Sequence, residues 1–190
     1  MTRIAAIDES RSEARPSEGR ALLAELRAQY GETLPDIYAY MAHRPGALRA
    51  YSDFVLAVMG GDALPYEFKE LAYLKASMGV GCEDCIATHS QYARQVGYSE
   101  SQIAALGDHE GSPLFSEKER AILRYADHYT RCPGPAPNSL VADLERFFDA
   151  AQLVELTLVI AVSSTFGRFS NALGIHSSAC ELPAASDSES

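Results

Sequence analysis

The stretch Gly81-Cys82-Glu83-Asp84-Cys85-Ile86-Ala87-Thr88-His89 concentrates the reactive side chains of this chain. Two residues separate the thiols, and an imidazole stands four positions after the second. Gly79 and Gly81 precede the pair, and the residues from about Cys82 to Val96 read as a helix that stops at Gly97. A helix starting there sets both sulfurs at its first turn, where unpaired N–H groups and the dipole favour thiolate over thiol. At about 100° per residue, Cys82, Cys85 and His89 share an arc of roughly 60° on one face. Two sulfurs and a base on one surface make a dithiol redox centre or part of a metal site.

Redox chemistry needs a deprotonated sulfur with a second sulfur in reach. A free thiol with a pKa near 8.5 is only about 3% ionised at pH 7, and a helix N-terminus contributes about 1 kcal/mol, too little for full ionisation. A base must help, and His89, one turn after Cys85, is placed to do so. Glu83 and Asp84 act in the opposite sense, because negative charge beside a thiol disfavours its ionisation. Glu70, on the preceding helix, is a second candidate for proton relay. Its neighbours three and four positions away are Tyr66, Glu67, Tyr73 and Leu74, so no Lys or Arg of its own helix pairs with it. The plainer alternative for Glu70 is an exposed carboxylate or a salt bridge to another helix.

A metal site would use Cys82, Cys85 and His89, with Glu70, His176 or Cys132 as the fourth ligand. Structural zinc usually takes two well-spaced ligand pairs, and only one is visible. Thioredoxin-type chemistry also uses CxxC, but on a βαβ scaffold for which this chain offers no strands. A buried structural cysteine pair is the remaining reading; the glycine lead-in and His89 speak for chemistry instead. Cys132, ahead of the loop Pro133–Pro137, and Cys180 read as bystanders. No metal and no cofactor is expected.

The elements that must position these groups are all helical. Helices are predicted over Ser17–Tyr30, Asp36–Ala42, Pro45 to Gly60-Gly61, and Tyr66–Met78, the last with Phe68, Leu71, Leu74 and Met78 on one face. Beyond the CxxC helix, Ser99-Glu100-Ser101-Gln102 and Ser116-Glu117-Lys118-Glu119 match capping boxes that open helices over 100–106 and 117–131. Two more follow, Ser139–Phe148 and the long apolar Ala150–Leu173. The expectation is an all-α chain: a flexible segment 1–16, one domain over 17–180, and a disordered tail over 181–190. Aligning Glu70-Leu71 with Glu155-Leu156 sets Cys82 and Cys85 opposite Gly167 and Ser170, which suggests a degenerate helix-pair repeat whose second copy has lost its thiols; chance similarity of two apolar helices is the alternative.

A formal net charge of −10 and a pI of about 4.9 exclude the basic surface that nucleic-acid binding requires. They also speak against a membrane-surface role. The N-terminus shows no secretory h-region, and the longest apolar stretch, Leu153–Val162, is interrupted by Glu155 and too short to span a bilayer. A cytoplasmic protein is expected, a compartment in which CxxC is catalytic or metal-binding more often than structural.

Glu70, then eleven residues, then Cys82-Glu83-Asp84-Cys85, then three residues and His89, resembles the E-x11-CxxC-x3-H signature of AhpD-like alkylhydroperoxidases, within the carboxymuconolactone decarboxylase superfamily. The following SQYARQVGYSESQIAAL is similar to that family's helix–Gly–helix continuation, so the clear resemblance covers Leu64–Leu106. It implies an AhpD-like helical fold, assembly as homo-oligomers such as trimers or hexamers, and reduction of hydroperoxides by a dithiol. Carried over, Cys85 attacks the peroxide, Cys82 resolves the sulfenic acid, and Glu70 and His89 relay protons. A dihydrolipoyl protein or similar dithiol restores the thiols. Family peroxidases can carry a second His between the cysteines where this chain has Asp84, which points to weaker activity or a different substrate. The decarboxylase branch generally lacks CxxC, so Cys82 and Cys85 count against lactone decarboxylation. The alternatives are a non-redox decarboxylase-type enzyme and a redox-sensing or zinc-holding structural oligomer.

Overall fold

The computed structural model describes residues 2–8, 17–31, 34–132 and 134–175. Among these the chain is helical throughout, with no strand. The elements are α1 (Glu18–Tyr30), α2 (Ile37–Met41), α3 (Pro45–Met59), α4 (Tyr66–Val80), α5 (Glu83–Gln95), α6 (Glu100–Ala105), a 3-10 turn at Leu106–Asp108, α7 (Glu117–Arg131), α8 (Asn138–Glu145) and α9 (Ala150–Leu173). His176, Cys180, the tail 181–190 and residues 9–16 lie outside the described residues. Residues 2–8 reach the rest of the fold through two backbone hydrogen bonds, Arg3 N donating to Leu173 O (3.0 Å) and Ile7 N to Ala39 O (3.0 Å).

Local chemistry sets the helix starts. Both capping boxes form, with Ser99 accepting from Gln102 N and Ser116 from Glu119 N. Asp149 and Gln152 make a third, opening α9. Pro45 occupies the first turn of α3, where a missing N–H costs nothing.

α4 is the centre of the molecule and packs against α5, α7 and α9. Every residue from Lys69 to Ser77 is buried, so the one-face pattern read from the sequence describes only part of this helix, which is enclosed all round. Two lysines are buried with it, each with its ammonium spoken for. Lys69 Nζ donates to the carbonyls of Val58 (2.9 Å) and Gly61 (2.6 Å) at the end of α3 and pairs with Glu155 of α9. Lys75 Nζ donates to Leu106 O (2.8 Å) and pairs with Asp127 of α7 (3.0 Å). Such pairs stabilise only while both members are present, because a lone buried charge is costly.

The apolar core has two parts. The larger joins α4 to α9, and the smaller joins α1, α2 and the start of α3, with Phe166 and Phe169 of α9 packed against it. α9 therefore bridges both. Its 24 residues are long and apolar enough to cross a membrane, well beyond the shorter stretch read from the sequence, yet α9 packs against α3, α4, α7 and α8. Across the aligned repeat, α4 ends at Val80 whereas α9 runs on unbroken to Leu173, so the second copy has no turn opposite the thiols.

Candidate active site

The site is built where α4 turns into α5. Gly81 ends α4 in the left-handed conformation (φ 67°, ψ 43°), which glycine adopts without the penalty a Cβ would bring. The chain then reverses, and Cys82 becomes the N-cap of α5, its Sγ accepting from Cys85 N at 3.3 Å. Cys82 thus lies just outside the helix rather than on its face, and the shared arc applies to Cys85 and His89 alone. The reversal brings the thiols together as a Cys82–Cys85 disulfide. Both cysteines are nearly enclosed, at 2% and 7% exposure, and both border the site's cavity. Asp84, in the first turn of α5, complements the helix dipole while adding negative charge beside the thiols.

His89 sits on the next turn of α5, and Glu70 reaches it from α4, with Glu70 Oε2 2.7 Å from His89 Nδ1. Glu70 is completely buried, so the exposed reading is overturned; Lys69 beside it turns away to Glu155. An ionised Glu70 accepts from Nδ1–H, which leaves Nε2 as the ring's free basic nitrogen. The ring is also held from the sides. Tyr73 stacks on it (3.5 Å between centroids, 15° between planes), and Tyr92 meets it edge-on at 5.4 Å. Burial, with Tyr51 and Glu70 nearby, holds the Tyr73 phenol well above the usual range, so it stays neutral. The other oxygen of Glu70, Oε1, is buried without a hydrogen-bond partner. Tyr66, half-exposed, stands close enough to that carboxylate for burial and Glu70 together to raise its own pKa.

A cavity of about 420 Å³ opens over this group. The disulfide, Thr88, His89 and Tyr92 of α5 form one side, and Tyr66, Glu70 and Tyr73 of α4 another. Leu34, Ile37 and Tyr38 come from the smaller core, Val55 and Met59 from α3, and Phe166 and Ser170 from α9. The cavity is thus the seam between the two apolar clusters. Burial, with Tyr30 nearby, pushes Tyr38 up to about 12, so this phenol too is uncharged near neutrality.

All four residues singled out from the sequence, Cys82, Cys85, His89 and Glu70, border this cavity. The contribution of α9 was missed. Asn171 Nδ2 donates to Val80 O (2.9 Å) and Gly81 O (3.3 Å), clipping the turn that carries Cys82. Gly167 lets α9 approach the thiols: a Cβ there would come within 3.0 Å of Cys82 Cβ and 2.5 Å of Val80 Cγ2. The internal alignment had set Gly167 opposite Cys82 in sequence; in space the two touch. Cys132, offered as a fourth ligand, is a free, exposed cysteine at the end of α7. Among the described residues no cluster of three or more His, Cys, Asp or Glu is arranged to hold a metal.

Known proteins place this geometry. The model of the carboxymuconolactone decarboxylase family matches residues 45–128, from α3 through most of α7. The uncharacterised protein YdfG of Bacillus subtilis is 31% identical over 107 residues, 56% of this chain and 73% of its own length. The uncharacterised protein YnjA of Escherichia coli is 33% identical over 103 residues, 54% of this chain, which thus spans little more than half (57%) of that relative. Among solved structures, a protein of unknown function from Agrobacterium tumefaciens, a candidate AhpD of antioxidant defence, superposes with a TM-score of 0.67 at 28% identity over 72% of this chain and 94% of its own. On the matched motif, the helical architecture and the Bacillus relative, this chain belongs to the AhpD/carboxymuconolactone decarboxylase superfamily.

Proposed function

We propose that the protein is a dithiol-dependent hydroperoxide reductase. The observation that carries this reading is the Cys82–Cys85 pair at the start of α5, bordering one cavity with the His89–Glu70 pair. The AhpD description of the Agrobacterium structure supports the same class.

In the reduced protein, His89 takes the Cys85 proton on Nε2 across the one helical turn between them, directly or through a water, while Glu70 stabilises the imidazolium on the Nδ1 side. The Cys85 thiolate attacks the distal oxygen of the hydroperoxide. The S–O bond forms, the O–O bond breaks, and the leaving alkoxide takes the proton from His89 and departs as the alcohol. Cys82 then gives its proton to His89 and attacks the sulfenic sulfur of Cys85; the S–S bond forms, the S–O bond breaks, and the departing hydroxide takes that proton and leaves as water. The preparation of Cys82 is local, since Cys85 N–H already points at Cys82 Sγ. An external dithiol reduces the disulfide by two successive exchanges and leaves oxidised. A dihydrolipoyl protein is one such donor, and a cytoplasmic setting and assembly as a trimer or hexamer belong to the same proposal. Light scattering of the purified protein tests the assembly.

The deciding experiment follows hydroperoxide consumption with an excess dithiol for wild type, Cys85→Ser and Cys82→Ser. Wild type turns over repeatedly and both variants lose multiple turnover; equal rates in all three would sink the proposal. Activity on a lactone that survives loss of both cysteines would favour the decarboxylase-type alternative. A disulfide that forms once with peroxide and never cycles would favour a sensor.

A further inference from the structure

We propose that the cavity selects its substrate by charge, taking an uncharged aryl or branched-alkyl hydroperoxide and rejecting one that carries a carboxylate. This inference rests on the peroxidase reading and narrows it.

Among the described residues, no Lys or Arg lines the cavity. Its ionisable members are acidic: Asp36 before α2, Asp84 in the first turn of α5, and the buried Glu70, besides His89. His89 is the lining histidine, and Glu70 already pairs with it. Three of the cavity's phenols add no charge, since burial raises Tyr38, Tyr66 and Tyr73. The N-terminus of α5, otherwise an anion site, is capped by Cys82. An entering carboxylate would lose its hydration and meet like charge, with no Lys or Arg among the described lining residues to compensate.

The remaining wall is apolar and aromatic, with Tyr38, Tyr66, Tyr73, Tyr92 and Phe166 offering ring faces and edges. Flat or branched apolar groups bury well against such surfaces. The cavity volume, about 420 Å³, suits a compact ligand.

The test uses three matched compounds: cumene hydroperoxide, its 4-carboxy derivative, and the methyl ester of that derivative. Uncharged dithiothreitol serves as reductant, so that charge selection acts on the peroxide alone. At pH 7 the ester should exceed the carboxylate at least tenfold in kcat/KM, with cumene hydroperoxide near the ester. Asp36→Asn should narrow the gap at least twofold, and so should raised salt. Carboxylate and ester turned over within twofold of each other overturn the inference. A second arm titrates the matching tertiary alcohols, which cannot react, and follows binding by NMR. Binding at least tenfold weaker for the carboxylate supports the charge rule, and equal binding overturns it. If the alcohols separate by charge while no hydroperoxide is consumed, the peroxidase reading fails and the charge rule stands.

Discussion

Two buried carboxylates on neighbouring helices, Glu70 and Glu155, have opposite chemical situations. Glu155 is saturated: Lys69 holds one oxygen, and backbone N–H groups of the α3–α4 connection, Leu64 N at 2.9 Å among them, complete its shell. Burial raises its pKa, but the hydrogen bonds from Lys69, Leu64 and Ala63 more than offset this and hold it below the usual carboxylate range. Glu70 is held by His89 at one oxygen, its other oxygen receives no well-formed hydrogen bond although the Tyr66 hydroxyl interacts with the carboxylate, and a cavity lies beside it. A carboxylate whose every lone pair is committed clamps two elements together. One left partly uncommitted beside a cavity is available to exchange a proton. The lesson is that burial alone does not separate structure from chemistry; the completeness of the hydrogen-bond shell does.

Several substitutions would break or sharpen that contrast. Cys85→Ser should lower hydroperoxide turnover by on the order of 10³-fold or more, while Glu155→Gln, if it remains folded, stays within about threefold of wild type in the same assay. Glu155→Gln should instead lose about 3 kcal/mol of stability in urea, because Lys69 is left charged and buried; Lys69→Met with Glu155→Gln should recover part of the loss. Glu70→Gln should invert the pattern, with turnover down about 10²-fold and stability changed by less than about 1 kcal/mol. An equal stability loss in both glutamine variants would collapse the distinction. Gly167→Ala should cost about 1–3 kcal/mol and slow disulfide cycling, since the new methyl meets Cys82 and Val80.

The smallest effect concerns pH. Burial, and then the Lys75 charge, lower the pKa of His109 from its ordinary 6.5, although Asp127 pulls the other way. The unfolded chain therefore binds a proton that the folded protein refuses, so this contribution is complete above about pH 6.5 and is lost as pH falls through the folded value. Glu155, also depressed, acts with the same sign in the more acidic range, its contribution complete above the ordinary carboxylate pKa and lost as pH falls through the folded value. Urea titrations between pH 5 and 8 should show stability declining on the acid side of about 6.5, with a shallower slope in His109→Asn.

Much of this was legible from punctuation. Pro45, the Ser99 and Ser116 boxes and the apolar spacing set most helix ends within one or two residues of those observed, because caps and turns are local chemistry, although α8 stops at Glu145, three residues before the expected Phe148. The four reactive residues were legible by type and spacing. What spacing did not show was contact across the fold. Nothing near Glu70 in sequence announces that it meets His89, nineteen positions on, rather than a lysine. The full enclosure of α4, the two buried lysines and the approach of Gly167 and Asn171 are products of tertiary packing, which periodicity on one helix does not encode. Cys82 misled for a subtler reason: a residue at a helix start takes either the first turn or the cap, and its backbone conformation (φ −96°, ψ 94°) decided for the cap.

The ring of tyrosines has one more consequence, optical rather than chemical. The chain contains ten tyrosines and no tryptophan, so all of its intrinsic near-ultraviolet emission is tyrosine emission. Tyr38, Tyr66, Tyr73 and Tyr92 border the cavity that also holds the disulfide. Disulfides quench nearby phenol fluorescence, and a ligand entering the cavity changes the solvent those rings see. The protein therefore carries its own signal for both events: reduction of Cys82–Cys85 and filling of the cavity can each be followed in the unlabelled, unmutated chain.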